Sequence, residues 1–218
     1  MMAYISEGGL GKMHTYKNLF LVIFVIACMC GLLLSGRHAL TSTETLPQEN
    51  QETGRENTMS ETTNPNIGKK FPEVTANSLA KTPVSIPGSA HGKVTLIAVA
   101  FLQQSQPQLD SWLGPFTERF AGKEGFTFYE VPMISSGYKF MSFIIDSGMR
   151  GGIPKEKHKN VVTMYGDVEK YMKALDLDAR YGYAFLLDRE GIIRWQGKGF
   201  STPEVLKALF EMAEKLAQ

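Results

Sequence analysis

The stretch "KVTLIAVAF" (93–101) constrains this chain more than any other. After Lys93 it is apolar at every position but Thr95, with no alternation between apolar and polar residues. A strand with one wet face alternates with a period of two, so a continuous run of this length is a strand covered on both faces. Two covered faces require two further layers, and the cheapest way to supply them is with helices that cross over the sheet.

The following residues provide such a crossover. Ser105 and Gln108, three positions apart, have the form of a helix capping box, and Leu109, Trp112, Leu113, Phe116 and Phe120 recur at helical spacing. Pro115 falls inside this helix and should kink it, since proline removes a backbone hydrogen bond and crowds the preceding turn. "GFTFYEVPMI" (125–134) then reads as a second central strand and "SGYKFMSFIIDSGM" (136–149) as a helix that is apolar over most of its circumference.

Two short extended stretches, about 71–75 and 83–86, precede the central run and are punctuated by Pro72, Pro83, Pro87 and Gly88. Downstream, "VVTMY" (161–165) reads as a short strand and 167–175 as a short helix. "YAFLLDREGIIRWQG" (183–197) reads as a hairpin turning at 188–191. A last helix begins at "STPE", where Ser201 or Thr202 caps it, Pro203 occupies its first turn, and an apolar stripe runs from Val205 to Leu216. The order predicts an α/β fold, a mixed sheet with helices on both faces, over 67–218.

The residues before it divide into a short N-terminal tail (1–18), an apolar segment (19–35) and a linker (36–66). "LFLVIFVIACMCGLLL" (19–34) carries no charge and is near the short end of what spans a hydrocarbon core of ~30 Å. Lys12, His14 and Lys17 before it, against Arg37 and His38 after it, favour a cytoplasmic N-terminus and an exported C-terminal part, on the periplasmic side of a bacterial inner membrane. Three readings fit: a retained transmembrane signal anchor, a lipoprotein signal in which Val25-Ile26-Ala27-Cys28 resembles a lipobox and Cys28 takes the lipid, and a cleaved secretory signal. The lack of arginine before Arg37 argues against a mitochondrial transit peptide. The linker is rich in Thr, Glu, Asn and Gln, cannot bury enough apolar surface to offset the entropy of ordering, and reads as a flexible tether.

The cysteines decide which chemistries are open. Cys28 and Cys30 are the only two, both in the apolar segment, so residues 67–218 hold no thiol and support neither an internal disulfide nor thiolate catalysis. A net charge of +1 with interspersed signs suggests no polyanion-binding surface, and nucleic acid is not expected as a partner.

Two features resemble the thioredoxin and redoxin superfamily: "FPEVTANSL" leading to "HGKVTLIAVAF" before a proline-containing helix, and the "YAFLLDREGIIRWQGKGF" hairpin before the last helix. More narrowly, "GKVTLIAVAF", "RYGYAFLLDREGIIRWQGKGF" and the following "PE" resemble the mitochondrial F-type ATP synthase assembly-factor family. That resemblance implies a thioredoxin-like fold, no catalytic cysteine pair, and a chaperone activity that helps membrane subunit a join the ring of c subunits. The anchor and tether in place of a transit peptide fit a bacterial relative. The expected partner is therefore a membrane protein subunit, with ATP synthase subunit a as the specific candidate, and no enzyme activity or small-molecule substrate is expected. A thioredoxin-like oxidoreductase is the rival that the absent thiol disfavours, and an envelope lipoprotein that serves as a binding module is the other.

No catalytic, cofactor or metal site emerges. Gln103 to Pro107 occupies the place where a thioredoxin carries its nucleophile, yet Ser105 has no evident base, because His91 sits in a turn and His158 in the charged loop "KEKHK". Ser105 is expected to cap the helix instead. Ligand spacings for metals are missing, and the glycines of "MRGGIP" and "WQGKGF" read as turns. Two partner-contact candidates remain. Arg180, Tyr181, Tyr183, Arg194 and Trp195 would form an aromatic and cationic patch if they gathered on one surface. Phe140, Met141, Phe143, Ile144 and Ile145 would either be buried on most sides, the expected outcome, or meet a partner.

Overall fold

The computed structural model describes residues 64–218. The tail, the apolar segment with Cys28, and nearly all of the linker lie outside the described residues. Among the described residues no helix is long and apolar enough to cross a membrane.

A five-stranded mixed sheet runs in the order β5-β4-β3-β6-β7, with β3 (Val94–Ala100) at its centre, β4 (Phe126–Ser135), β5 (Met164–Gly166), β6 (Tyr183–Leu187) and β7 (Ile193–Lys198). All seven residues of β3 are buried, as the unbroken apolar run requires. β3 pairs parallel with β4 and antiparallel with β6, so the helix joining β3 to β4 crosses over one face while the β6–β7 hairpin extends the sheet directly. A separate antiparallel ribbon, β1 (Val74–Asn77) and β2 (Pro83–Ile86), packs on the other face. β1 lies a little downstream of the expected 71–75, because Phe71, preceding Pro72, is spent as a core residue against Phe185, their rings 5.4 Å apart.

Alternate residues of the central strands feed two cores. Val94, Leu96, Ala98 and Ala100 meet α1 (Gln106–Phe120) and α4 (Pro203–Ala217) through Leu109, Trp112, Phe116, Phe120, Leu209 and Ala213. Ile97, Val99, Val131, Met133, Phe185 and Leu187 meet the β1–β2 ribbon and α3 (Val168–Leu175). Each fully buried aliphatic or Phe side chain contributes roughly 1.5–3 kcal/mol, so these two layers carry most of the fold's stability. A third, small cluster of Leu79, Ile145, Met149 and Val161 lies under α2 (Ser142–Gly152).

The caps were partly as expected. Asp167 accepts from the Lys170 amide to open α3, and Thr202, not Ser201, accepts from the Val205 amide to open α4. Ser105 does not cap α1. It sits at φ −84°, ψ −4° at the end of a 3-10 turn, and a capping residue needs extended backbone to aim its oxygen at the following amides. Asn66, placed by sequence in the linker, belongs to the domain: it is buried and its side-chain amide donates to the Leu175 carbonyl at 2.6 Å and to Gln196 Oε1 at 2.9 Å.

Candidate functional site

The N-terminus of α1 faces the loop before β6, and the two are bound together by the pair that looked like a capping box. Ser105, fully buried, donates its hydroxyl to the Arg180 carbonyl at 3.3 Å, and Gln108 Oε1 accepts from the Gly182 amide at 2.6 Å. The Gly182 carbonyl in turn accepts from the Gly199 amide at 2.8 Å. The backbone of this loop is thus satisfied from within. A Cβ on Gly182 would lie 2.9 Å from Leu109 Cδ2 and 3.3 Å from the Ser105 carbonyl oxygen, so only glycine lets the loop approach α1 this closely. Ser105 is neither a cap nor an accessible nucleophile but a clasp between α1 and the loop. His158 bonds the Ile153 carbonyl at 2.8 Å through Nε2.

The five residues expected to form one aromatic and cationic patch are spread over four places. Tyr183 is buried, and its hydroxyl is shared between the Asp178 amide at 2.8 Å and the Asp178 carbonyl at 3.3 Å. Trp195 is half-buried and packs edge-on against Trp112 at 5.3 Å. Arg194 lies near the turn end of the β6–β7 hairpin, where its Nε donates to buried Asp188 at 2.6 Å. Burial alone would raise the Asp188 carboxyl, but amides from Ile192 and Glu190 and the Arg194 guanidinium hold it below the usual carboxylate range. Only Arg180 and Tyr181 keep company, at the other end of the hairpin. There the Arg180 guanidinium bonds both oxygens of Asp178 and lowers that carboxyl to about 2, and Lys198 Nζ stands 4.1 Å from the centre of the Tyr181 ring.

The other candidate is more open than expected. A 3-10 turn (Ser136–Met141) leads into α2, which rests on the sheet edge through buried Ile145 and Met149 and through Asp146, which accepts from the Tyr165 hydroxyl of β5 at 2.7 Å, with Met141 half-buried. Phe140 and Phe143 stand 84 % and 77 % exposed and Ile144 55 % exposed, so the expected burial of this helix holds only for its inner stripe. The physical reason is local: β5 has three residues and β4 ends nearby, which leaves no second layer to cover the outer face. Between α2, the end of β4 and the start of α1 lies an apolar cavity of about 90 Å³, lined by residues that include Leu102, Gln106, Leu109, Pro132, Ile144 and Met149.

Sequence reasoning did not single out Glu130. It sits half-buried in β4 on the α1 side, accepting at Oε1 from Gln106 Nε2 at 2.9 Å, and the same amide donates to Asp110 at 3.1 Å. Burial pushes its carboxyl up to about 7, with the Gln106 bond opposing, the Asp110 charge adding to the rise and Lys157 reducing it. A glutamate in the middle of "FTFYEVPMI" was the available signal. Among the described residues no group of three or more His, Cys, Asp or Glu side chains is placed to hold a metal ion.

The sequence profile of the ATP10 protein family matches residues 65–216, nearly all of the described domain. The chain belongs to the ATP10 family. This is a family of ATP synthase assembly, which agrees with the resemblance drawn from the β3 and β6–β7 segments. Among curated proteins none matches the chain. Solved structures similar to this ATP10 family member share its thioredoxin-like fold. The thioredoxin domain of a thiol-disulfide oxidoreductase from Bacteroides vulgatus is 19% identical, with a TM-score of 0.51 over 67% of this chain and 97% of that one. A SCO1/SenC family lipoprotein from Bacillus anthracis is 16% identical, with a TM-score of 0.50 over 69% and 96% of the two chains. At 15% identity, a putative electron transfer protein from Aquifex aeolicus also reaches 0.50, over 70% and 98%. At these identities the likeness establishes the fold and nothing about chemistry.

Proposed function

We propose that this ATP10 family member is a membrane-tethered, non-catalytic assembly factor that holds an immature membrane subunit of the ATP synthase, subunit a being the specific client, until it is incorporated. The observation that carries the reading is the exposed apolar face of Phe140, Phe143 and Ile144 beside an apolar cavity. Contiguous exposed apolar surface costs solubility, and a fold keeps it where a partner covers it.

Two further observations support the non-catalytic part. Residues 31–218 contain no cysteine, and the place where a thioredoxin attacks its substrate is filled by the Ser105 and Gln108 clasp. The tether rests on the apolar segment 19–34 and the polar linker after it, which put the domain on the exported face of the membrane, anchored by one span or by lipid on Cys28. Confinement to the bilayer raises the effective concentration of the domain around a membrane client without any new contact.

The test is a deletion strain examined by native gel electrophoresis, with crosslinking in intact membranes. The expected result is loss of assembled ATP synthase, an accumulation of subcomplexes, and capture of subunit a by the full chain. Normal assembly in the deletion strain overturns the proposal.

A further inference from the structure

The surface beside α2 has two properties that narrow what can sit on it. The first is depth. Ile144 and Leu102 line the cavity and are 55 % and 40 % exposed, so the cavity opens to solvent between them, and its volume suits one large apolar side chain. Phe140 and Phe143, both largely exposed, precede Ile144 by one turn and by one residue. The second is charge. At the α1 side, Gln106 lines the cavity and donates to Glu130 and Asp110, which stand behind it, while the charge of Lys157 acts on Glu130, so two carboxylates and one ammonium lie next to this end of the groove.

The geometry points to this groove as the docking site for an apolar helical segment of the client that carries a lysine or arginine. One aliphatic or aromatic side chain of the segment fills the cavity, Phe140, Phe143 and Ile144 cover its apolar face, and its cation meets Glu130 and Asp110. This rests on the assembly-factor reading and adds to it the surface and the chemistry recognised. A bilayer surface is the poorer occupant, because it presents no side chain to fill a cavity and its anionic headgroups would face two carboxylates. Burial that raises the Glu130 carboxyl favours the arrangement, since an arriving cation adds to the single counter-charge of Lys157 and favours the ionised form.

The test uses the full chain in its own membrane. With p-benzoylphenylalanine in place of Phe143, photolysis is expected to link the protein to a membrane-spanning segment of an ATP synthase subunit, at a peptide that contains lysine or arginine. The pair Glu130→Gln and Asp110→Asn is expected to lower the crosslink yield about five- to tenfold while the melting transition shows the domain folded. Crosslinks to lipid alone, or to a second copy of this chain, overturn the inference, as does a yield indifferent to the two carboxylates. The native gel separates the two readings. If the deletion strain assembles normally, the assembly role itself fails; if it does not, and a folded Phe143→Ser, Ile144→Asp variant restores full assembly, only the groove assignment fails.

Discussion

The hydroxyl of Ser201 donates to the carbonyl oxygen of Ser111 at 2.7 Å and so replaces the hydrogen bond that Pro115 cannot give within α1. Residue 115 would bond the carbonyl four positions back, which is that of Ser111, and proline has no amide proton to offer. The Ser201 amide also donates to Ser111 Oγ at 3.0 Å, so the loop before α4 is fastened to the middle of α1 at two points. Ser201→Ala is expected to cost about 1–2 kcal/mol in chemical denaturation, because it orphans a half-buried carbonyl. The penalty should shrink in a Pro115→Ala background, where the alanine amide reclaims Ser111. Equal penalties in both backgrounds would show that the Ser201 bond does not compensate for the proline.

Gly182→Ala is expected to destabilise the domain by roughly 1–3 kcal/mol, since the added methyl would approach Leu109 Cδ2 at 2.9 Å in a closely packed site. Gln108→Ala should cost a comparable amount by leaving the Gly182 amide without its partner. The two residues share one contact, so the double variant should cost less than the sum. Urea unfolding of the four proteins measures this coupling, and strict additivity would show that the clasp is not a unit.

These two fastenings show where the sequence was legible and where it was not. β3 was legible because a strand buried on both faces leaves an unbroken apolar run, and α4 because Thr202, Pro203 and the apolar stripe agree on its start and its inner face. The Ser105 and Gln108 pair misled, because a capping box is defined by backbone angles as much as by residue types, and Ser105 is helical in φ and ψ. Arg180 and Arg194 flank one aromatic stretch in the sequence, yet the hairpin sets them at opposite ends, with Tyr183 opposite Lys198 and Leu187 opposite Ile193. For α2, an apolar circumference gives no clue to which side is covered; that depends on how far β4 and β5 extend beneath it, a property of the flanking strands and not of the helix itself.

Glu130 should make stability fall as pH rises through neutrality. Its folded value, about 7, lies above the ordinary 4.5, so the protonated form fits the fold better than the ionised one. The contribution is fully present below about pH 4.5 and is lost as pH passes through 7, a change of roughly 1–3 kcal/mol. Asp188, held below its ordinary range, acts in the opposite sense but only at acid pH, where its stabilisation disappears as the carboxyl is protonated. Thermal melts near pH 5 and near pH 8 should therefore differ less for Glu130→Gln than for the natural sequence. An unchanged difference would mean that the carboxyl titrates as it does in the unfolded chain.

The two sides of α2 should respond oppositely to substitution. Ile145 is buried in the cluster with Leu79, Met149 and Val161, so Ile145→Ala is expected to cost about 2–4 kcal/mol through lost burial and the cavity left behind. Phe143 is 77 % exposed, and Phe143→Ser should change stability by no more than about 0.5 kcal/mol, because almost no buried contact is removed. In cells the ranking should invert: Phe143→Ser with Phe140→Ser lowers the yield of assembled ATP synthase at normal protein abundance, whereas Leu79→Ala, in the same cluster as Ile145 but away from the cavity, acts only as far as it lowers abundance. Native gels quantified beside immunoblots of the protein read both effects. A Phe140→Ser, Phe143→Ser protein that assembles the complex at the natural rate would mean that this face is exposed for some reason other than a client.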